Sequence, residues 1–221
     1  MKKLITLFFV IFFVTVTQQA TFAKADNTLW NDYQDILNSA VTANTFTSTD
    51  GEFDHASVDY EKINNNPELQ EKIKNQLEKL KTVKAPEEKK HKLAFWINAY
   101  NFFTIVDVVN NYPISSMKKI GWKNKHHQIE DTLYNLDHIE HNIIRPLADP
   151  RIHFAINCAS VGCPSLASEI FDGNRIDTKL DEVATNALKN PLHLRMVNNM
   201  LNTTQLFKWF SKDFESGGYE G

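Results

Sequence analysis

The segment that most limits what this chain can become is Leu93-Ala-Phe-Trp-Ile-Asn-Ala-Tyr-Asn-Phe-Phe-Thr-Ile-Val-Asp-Val-Val109, which is apolar on nearly every face of a helix. It follows Pro86, Glu87 and Glu88, a proline and two acidic residues that suit a helix's first turn. A helix on a protein's surface carries one apolar stripe; one that is apolar all round must be enclosed by the rest of its own protein. Two asparagines, Asn98 and Asn101, fall inside it. A buried amide without partners costs about 1–3 kcal/mol, so these two are expected to hold other segments in place. The jacket this helix needs is available, since hydrophobic residues make up 42% of the chain and aromatics 11%, which excludes wholesale disorder.

The jacket is expected to be mostly helical. Leu29, Tyr33, Ile36, Leu37 and Ala40 recur at helical spacing. Thr42 to His55 is polar with a turn signal at Asp50-Gly51, and Val58-Asp59-Tyr60 reads as a short extended piece. Asn66 caps a second helix with Pro67 at its first position and Leu69, Ile73, Leu77 and Leu80 on one face. Lys118 to His127 reads as a basic, hydrated loop, and Gln128 to Leu136 as a hairpin. Asn135 or Asp137 then caps a short helix through Ile139, Ile143 and Ile144, ending at Pro146. Arg151 to Asn157 alternates between Asp149-Pro150 and Cys158, which predicts a strand. Pro164 opens a helix towards Phe171, Leu180 to Leu188 marks another, and Leu206, Phe207, Trp209 and Phe210 form a last apolar group. The fold class is therefore α+β: one helix-rich domain, a small antiparallel sheet and a buried central helix. Its divisions are a leader at 1–25, an N-terminal helical segment at 26–85, a core at 86–215 and a frayed tail at 216–221.

Lys2 and Lys3, the apolar run Leu4 to Val16 and the small residues Ala20 to Ala25 have the order of a secretory signal, cleaved after Ala23 or Ala25. Read instead as an uncleaved anchor, the run is shorter than the roughly 20 residues a membrane helix needs. Without the leader's three lysines the net charge of −3 becomes −6, which gives no general grip on nucleic acid or anionic lipid. The expectation is a periplasmic protein with no stable membrane insertion after cleavage. Only four glycines precede residue 217, so no glycine-rich nucleotide cradle can be built and no cofactor is expected.

In that oxidising compartment the chain's two cysteines, Cys158 and Cys163, stand five residues apart. With Pro164 opening a helix, Cys163 would sit at its cap, where unpaired N–H groups and the helix dipole favour a thiolate. His138, His141 and His153 are candidate bases, and Glu140 a candidate orienting carboxylate. Each has a plainer reading. Cys158 can be a small core residue, His153 a satisfied core or surface histidine, and Glu140 the partner of Asp137 in a capping box. A zinc site at the cysteines is disfavoured because their spacing is wider than usual ligand pairs, and thiol–disulfide exchange because redox pairs have only two residues between their cysteines.

Phe95-Trp-Ile-Asn-Ala-Tyr-Asn101, Leu136-Asp-His-Ile-Glu-His141 with Arg145, Asp149-Pro-Arg-Ile-His-Phe-Ala-Ile-Asn-Cys-Ala-Ser-Val-Gly-Cys-Pro164 and Leu206-Phe-Lys-Trp-Phe with Asp213-Phe214 resemble the successive motifs of DUF547, an uncharacterised family. The resemblance implies roles for Asn98, Asn101, Glu140, His141, Arg145, Arg151, His153 and Cys158. It favours Cys158 over Cys163, which some plant members replace. The chain departs from the pattern at His138, where an acidic residue is common, and at Gln205, where serine is common.

Two functions of different kinds follow. In the first, Cys163 or Cys158 attacks an amide or ester of a small-molecule or peptide substrate, with His141 or His153 as base and Glu140, Asn98 or Asn157 orienting it, as in papain-like or transglutaminase-like enzymes. In the second, Cys158 and Cys163 form a structural disulfide in a non-enzymatic binding or interaction module.

Overall fold

The computed structural model describes residues 27–48, 51–120, 123–160 and 162–216. The expected leader, the Asp50 turn position and residues 217–221 lie outside the described residues.

Helix α1 (Asn31–Ala40) buries Tyr33, Ile36, Leu37 and Ala40, the face its spacing predicts. The hairpin β1 (Val41–Ser48) and β2 (Gly51–Val58) then pairs in register from Val41 with Val58 to Ser48 with Gly51. The polar composition of this stretch hid the strands. Their stability comes from cross-strand pairs such as Phe46 on Phe53 and Thr45 on Asp54, which a hydropathy pattern does not register. After α2 (Tyr60–Asn65), helix α3 (Pro67–Thr82) starts as predicted: the Asn66 side chain accepts from the Glu68 and Leu69 N–H groups and Pro67 takes the first turn.

Helix α4 (Lys89–Asn110) is the central one, and every residue from Leu93 to Val109 is buried. It begins later than Pro86 because the Glu88 carboxylate caps it, accepting from the Lys90 and His91 N–H groups. Aromatic edges lock the jacket on: Trp30 meets Phe95 at 5.5 Å, Tyr33 meets Phe102 at 5.5 Å, and Trp96 meets Tyr134 at 5.0 Å. Gly173 approaches His91 so closely that any Cβ there would collide with the ring.

The predicted second hairpin is present as β3 (His127–Ile129) and β4 (Thr132–Tyr134). Asn135, not Asp137, caps the next helix, its side chain accepting from His138 N–H. That helix, α5 (Leu136–His138), widens into a π-helical turn over Ile139–Ile144. The strand expected at Arg151–Asn157 is instead a 3-10 helix, Pro150–Phe154, because Asp149 accepts from the Arg151 N–H and Pro150 fixes the first turn. The helix expected after Pro164 does not form: residues 164–172 run without regular structure, since side chains elsewhere take up their backbone groups. Helix α6 (Ile176–Lys189) follows as predicted. The third hairpin, β5 (Leu194–Val197) and β6 (Met200–Thr203), turns through Asn198 and Asn199, both at positive φ. Short helices α7 (Leu206–Trp209) and α8 (Ser211–Ser216) close the described chain. The architecture is α+β and helix-rich, with three separate two-stranded antiparallel sheets among the described residues. Among the described residues no helix is long and apolar enough to cross a membrane.

Candidate functional site

The two asparagines of α4 answer what the turn near the cysteines rests on. Asn98 donates through Nδ2 to the Phe171 carbonyl at 2.9 Å and accepts the Phe171 N–H at 2.8 Å. Asn101 does the same across two residues, donating to the Ala155 carbonyl at 2.9 Å and accepting the Asn157 N–H at 2.8 Å. Each amide thus replaces one rung of a sheet ladder, fixing an irregular segment that no strand pairs with. Asn98 spends both its polar ends on backbone and orients no imidazole.

Asn157 extends the clamp, donating to the Pro164 carbonyl at 2.7 Å and accepting the Ala159 N–H at 2.8 Å. It closes a turn in which Ala159 takes a positive φ and Cys158 and Cys163 are bonded to each other. No free cysteine remains among the described residues. With no helix at Pro164, the cap and dipole expected to lower the Cys163 pKa are missing, and in the bonded state neither sulfur is a nucleophile.

Two of the candidate bases, His141 and His153, gather beside α8, while His138 lies against Tyr134 with ring centroids 5.8 Å apart. His153 is 1% exposed. Its Nε2 meets Asp213 at 2.9 Å, its ring stacks on Phe210 at 3.8 Å, and Nδ1 is buried without a hydrogen-bond partner. Burial pushes the His153 pKa down against the pull of Asp213, so the ring is the neutral Nε2–H tautomer. Arg145 grips the same carboxylate through Nε at 2.6 Å and Nη2 at 2.9 Å, and its Nη1 donates to His141 Nδ1 at 3.0 Å. Hydrogen bonds from Arg145, before those from His153, hold Asp213 below the usual carboxylate range. Arg151 stands apart, tying Asp149 at 2.6 Å to Asp177 at 3.2 Å and Asp181 at 2.7 Å on the first turns of α6.

Glu140 has no capping role, because Asn135 caps instead. The π-helical turn carries it inward, where it is 8% exposed and accepts the Tyr100 hydroxyl at 3.2 Å. Burial raises its pKa above the ordinary 4.5 despite the attraction of His141. A carboxyl whose folded pKa is raised stabilises the fold below its unfolded pKa and loses that contribution as pH rises through the folded value. Glu140→Gln is therefore expected to stabilise the protein at pH 7.5 and to be neutral near pH 4, checked by urea titration at both; a difference independent of pH would refute the strained carboxylate.

A cavity of about 660 Å³ opens between the β1–β2 hairpin, residues 165–168 and α6. Ser165 accepts the Ala56 N–H at 3.0 Å, which directs its own proton to His55 Nδ1 at 3.2 Å. Burial lowers the His55 pKa, consistent with a neutral acceptor ring. His193 also lines the cavity, with Nε2 buried and unpartnered. Sequence reasoning missed Ser165, His55 and His193: they stand far apart in the chain, and the hairpin that brings them together was itself unread. The turn signal at Asp50-Gly51 was the one available cue.

Residues 85–186 match the family model described as "Protein of unknown function, DUF547". No curated protein and no solved structure matches the chain. The matched stretch runs from just before α4 through the two clamped segments and the disulfide turn into α6, and it contains Asn98, Asn101, Glu140, His141, Arg145, Arg151, His153 and Cys158. Over residues 85–186, just under half of its length, this chain is similar to the DUF547 family.

Proposed function

We propose that the protein is an exported binding module in which the Cys158–Cys163 disulfide pins the turn that leads into residues 165–168, one wall of the cavity beside α6. The observation that carries this is the disulfide itself, which consumes both thiols of the chain. A thiol hydrolase would need a base and an orienting group beside a free sulfur. Here His153 is engaged by Asp213, His141 by Arg145, and Asn98 by Phe171. The leader's oxidising destination is where such a bridge persists.

The cavity suits a polar ligand with both signs of charge. Ser165 and Asn186 offer a hydroxyl and an amide, and Lys179 and Lys189 face the same space as Glu52 and Glu182. Short peptides have that chemistry. The chain purified from an oxidising compartment is expected to gain two hydrogens on reduction and to resist a thiol-selective electrophile before it. In a thermal-shift screen of short peptides, a ligand should stabilise the wild type but not Ala167→Trp, whose ring fills the cavity. Labelling of native Cys163 that disappears in Cys163→Ala would return the thiol-enzyme reading.

A further inference from the structure

Away from that cavity, α4 ends against the loop that leads into β3. There Asp107, 4% exposed, receives two imidazoles on one carboxylate. His126 Nε2 stands 2.7 Å from Oδ1 and His127 Nε2 stands 3.1 Å from Oδ2. The three donor atoms lie within 4.8 Å of one another.

Both rings are aimed by contacts behind them. His126 Nδ1 donates to the Asn124 carbonyl at 2.6 Å, which leaves Nε2 as the outward donor. Backbone carbonyls play this part behind metal-bound histidines, fixing tautomer and direction. His127 lies flat against Phe103, centroids 4.2 Å apart and planes 12° from parallel. Asp107 is carried by a helix whose whole inner length is packed. One carboxylate bonded to one imidazole would satisfy a core; two converging imidazoles with independent supports exceed that requirement.

We propose that Asp107, His126 and His127 bind a divalent transition metal, zinc being the best fit, with water in the remaining position. Two imidazoles and a carboxylate are a donor set zinc accepts, and three protein ligands leave the fourth position open. Tetrahedral bonds of about 2.0–2.1 Å place donor atoms roughly 3.3 Å apart. The imidazole nitrogens now stand 2.7 and 3.1 Å from opposite oxygens of Asp107, in the proton-bridged form, and with all three donor atoms already within 4.8 Å the exposed His126 side chain can adjust to that spacing.

The proton balance is simple. In the metal-free form both nitrogens of His126 face acceptors, so that ring is an imidazolium. On binding, His126 loses its Nε2 proton to solvent, His127 moves its proton from Nε2 to Nδ1, and Asp107 stays ionised. The ion would enter past His126, whose side chain is 42% exposed, while the other two ligands are enclosed. Lys123 and Lys125 in the same loop are exposed, and salt screens their repulsion.

The test uses the full chain freed of metal with a chelator. Titration with zinc by calorimetry should give one equivalent bound with Kd of about 1 µM or tighter. Cobalt in its place should give the intense visible absorption of a tetrahedral site. His126→Ala, at the exposed ligand, should keep the wild-type circular dichroism and weaken zinc by about 100-fold or more, and Asp107→Asn should do the same. Absence of saturable binding would overturn the proposal. So would unchanged stoichiometry and affinity in His126→Ala, which would place the zinc on other surface histidines.

Discussion

Asn98→Ala is expected to destabilise the protein by about 3–5 kcal/mol, because it strands both the N–H and the carbonyl of Phe171 in the core at about 1–3 kcal/mol each and leaves a void beside α4. For a chain of this size that is a fall of roughly 10 °C in Tm. Asn101→Ala should act similarly through Ala155 and Asn157, and the pair should be less than additive if the two clamps hold one folding unit. Asn98→Asp separates the effects: it keeps the acceptor for Phe171 N–H but turns a carboxylate towards the Phe171 carbonyl, so it should be nearly as damaging. Urea midpoints measure all four. A loss below 1 kcal/mol for Asn98→Ala would mean that residues 164–172 hold their course without the helix.

Asp213→Ala should cost about 2–3 kcal/mol by removing the partner of Arg145 and of buried His153 together, allowing for the part of the ion pair that water screens. It should also loosen α8, since Phe210 and Phe214 pack on the ring that Asp213 holds. The pH dependence gives the signature. Asp213 has a depressed folded pKa, so its contribution is present above the unfolded carboxylate value and fades as pH falls through the folded one. His153, held neutral by burial, destabilises as pH falls below 6.5, where the unfolded ring takes up a proton that the folded one resists. As pH falls the wild type should therefore lose stability first through His153 and then through Asp213 and the other carboxylates held low, and Asp213→Ala should lose less over the carboxylate range. A variant with the wild-type acid profile would show that this carboxylate does not anchor α8.

Much of the fold was legible because its signals are local. Asn66-Pro67 is a cap and a first-turn proline whatever surrounds it, and the apolar wrap of Leu93 to Val109 permits only burial. The errors were also local signals, outvoted. Alternation at Arg151–Asn157 lost to the cap at Asp149 and to Asn101, which took the hydrogen bonds a neighbouring strand would have used. Pro164 looked like a helix start, but Asn157 claimed its carbonyl and Asn98 claimed Phe171. The reading of Glu140 as part of a capping box failed when Asn135 capped the turn and the π-helical widening swung Glu140 inward.

The site was half legible. Composition and motif order pointed to Asn98, Asn101, Glu140, His141, Arg145, His153 and the two cysteines, and each takes part in a specific interaction. What residue types cannot convey is who faces whom. The chain alone set the enclosed helix, its buried amides and the pairing options of two cysteines, because those follow from side-chain chemistry and spacing along one dimension. Tertiary structure decided that the amides hold backbone, that the histidines answer to Asp213 and Asp107 instead of sulfur, and that a hairpin of polar residues walls a cavity. Those outcomes depend on contacts across tens of residues, where a hydrogen bond goes to whichever partner packing brings within reach.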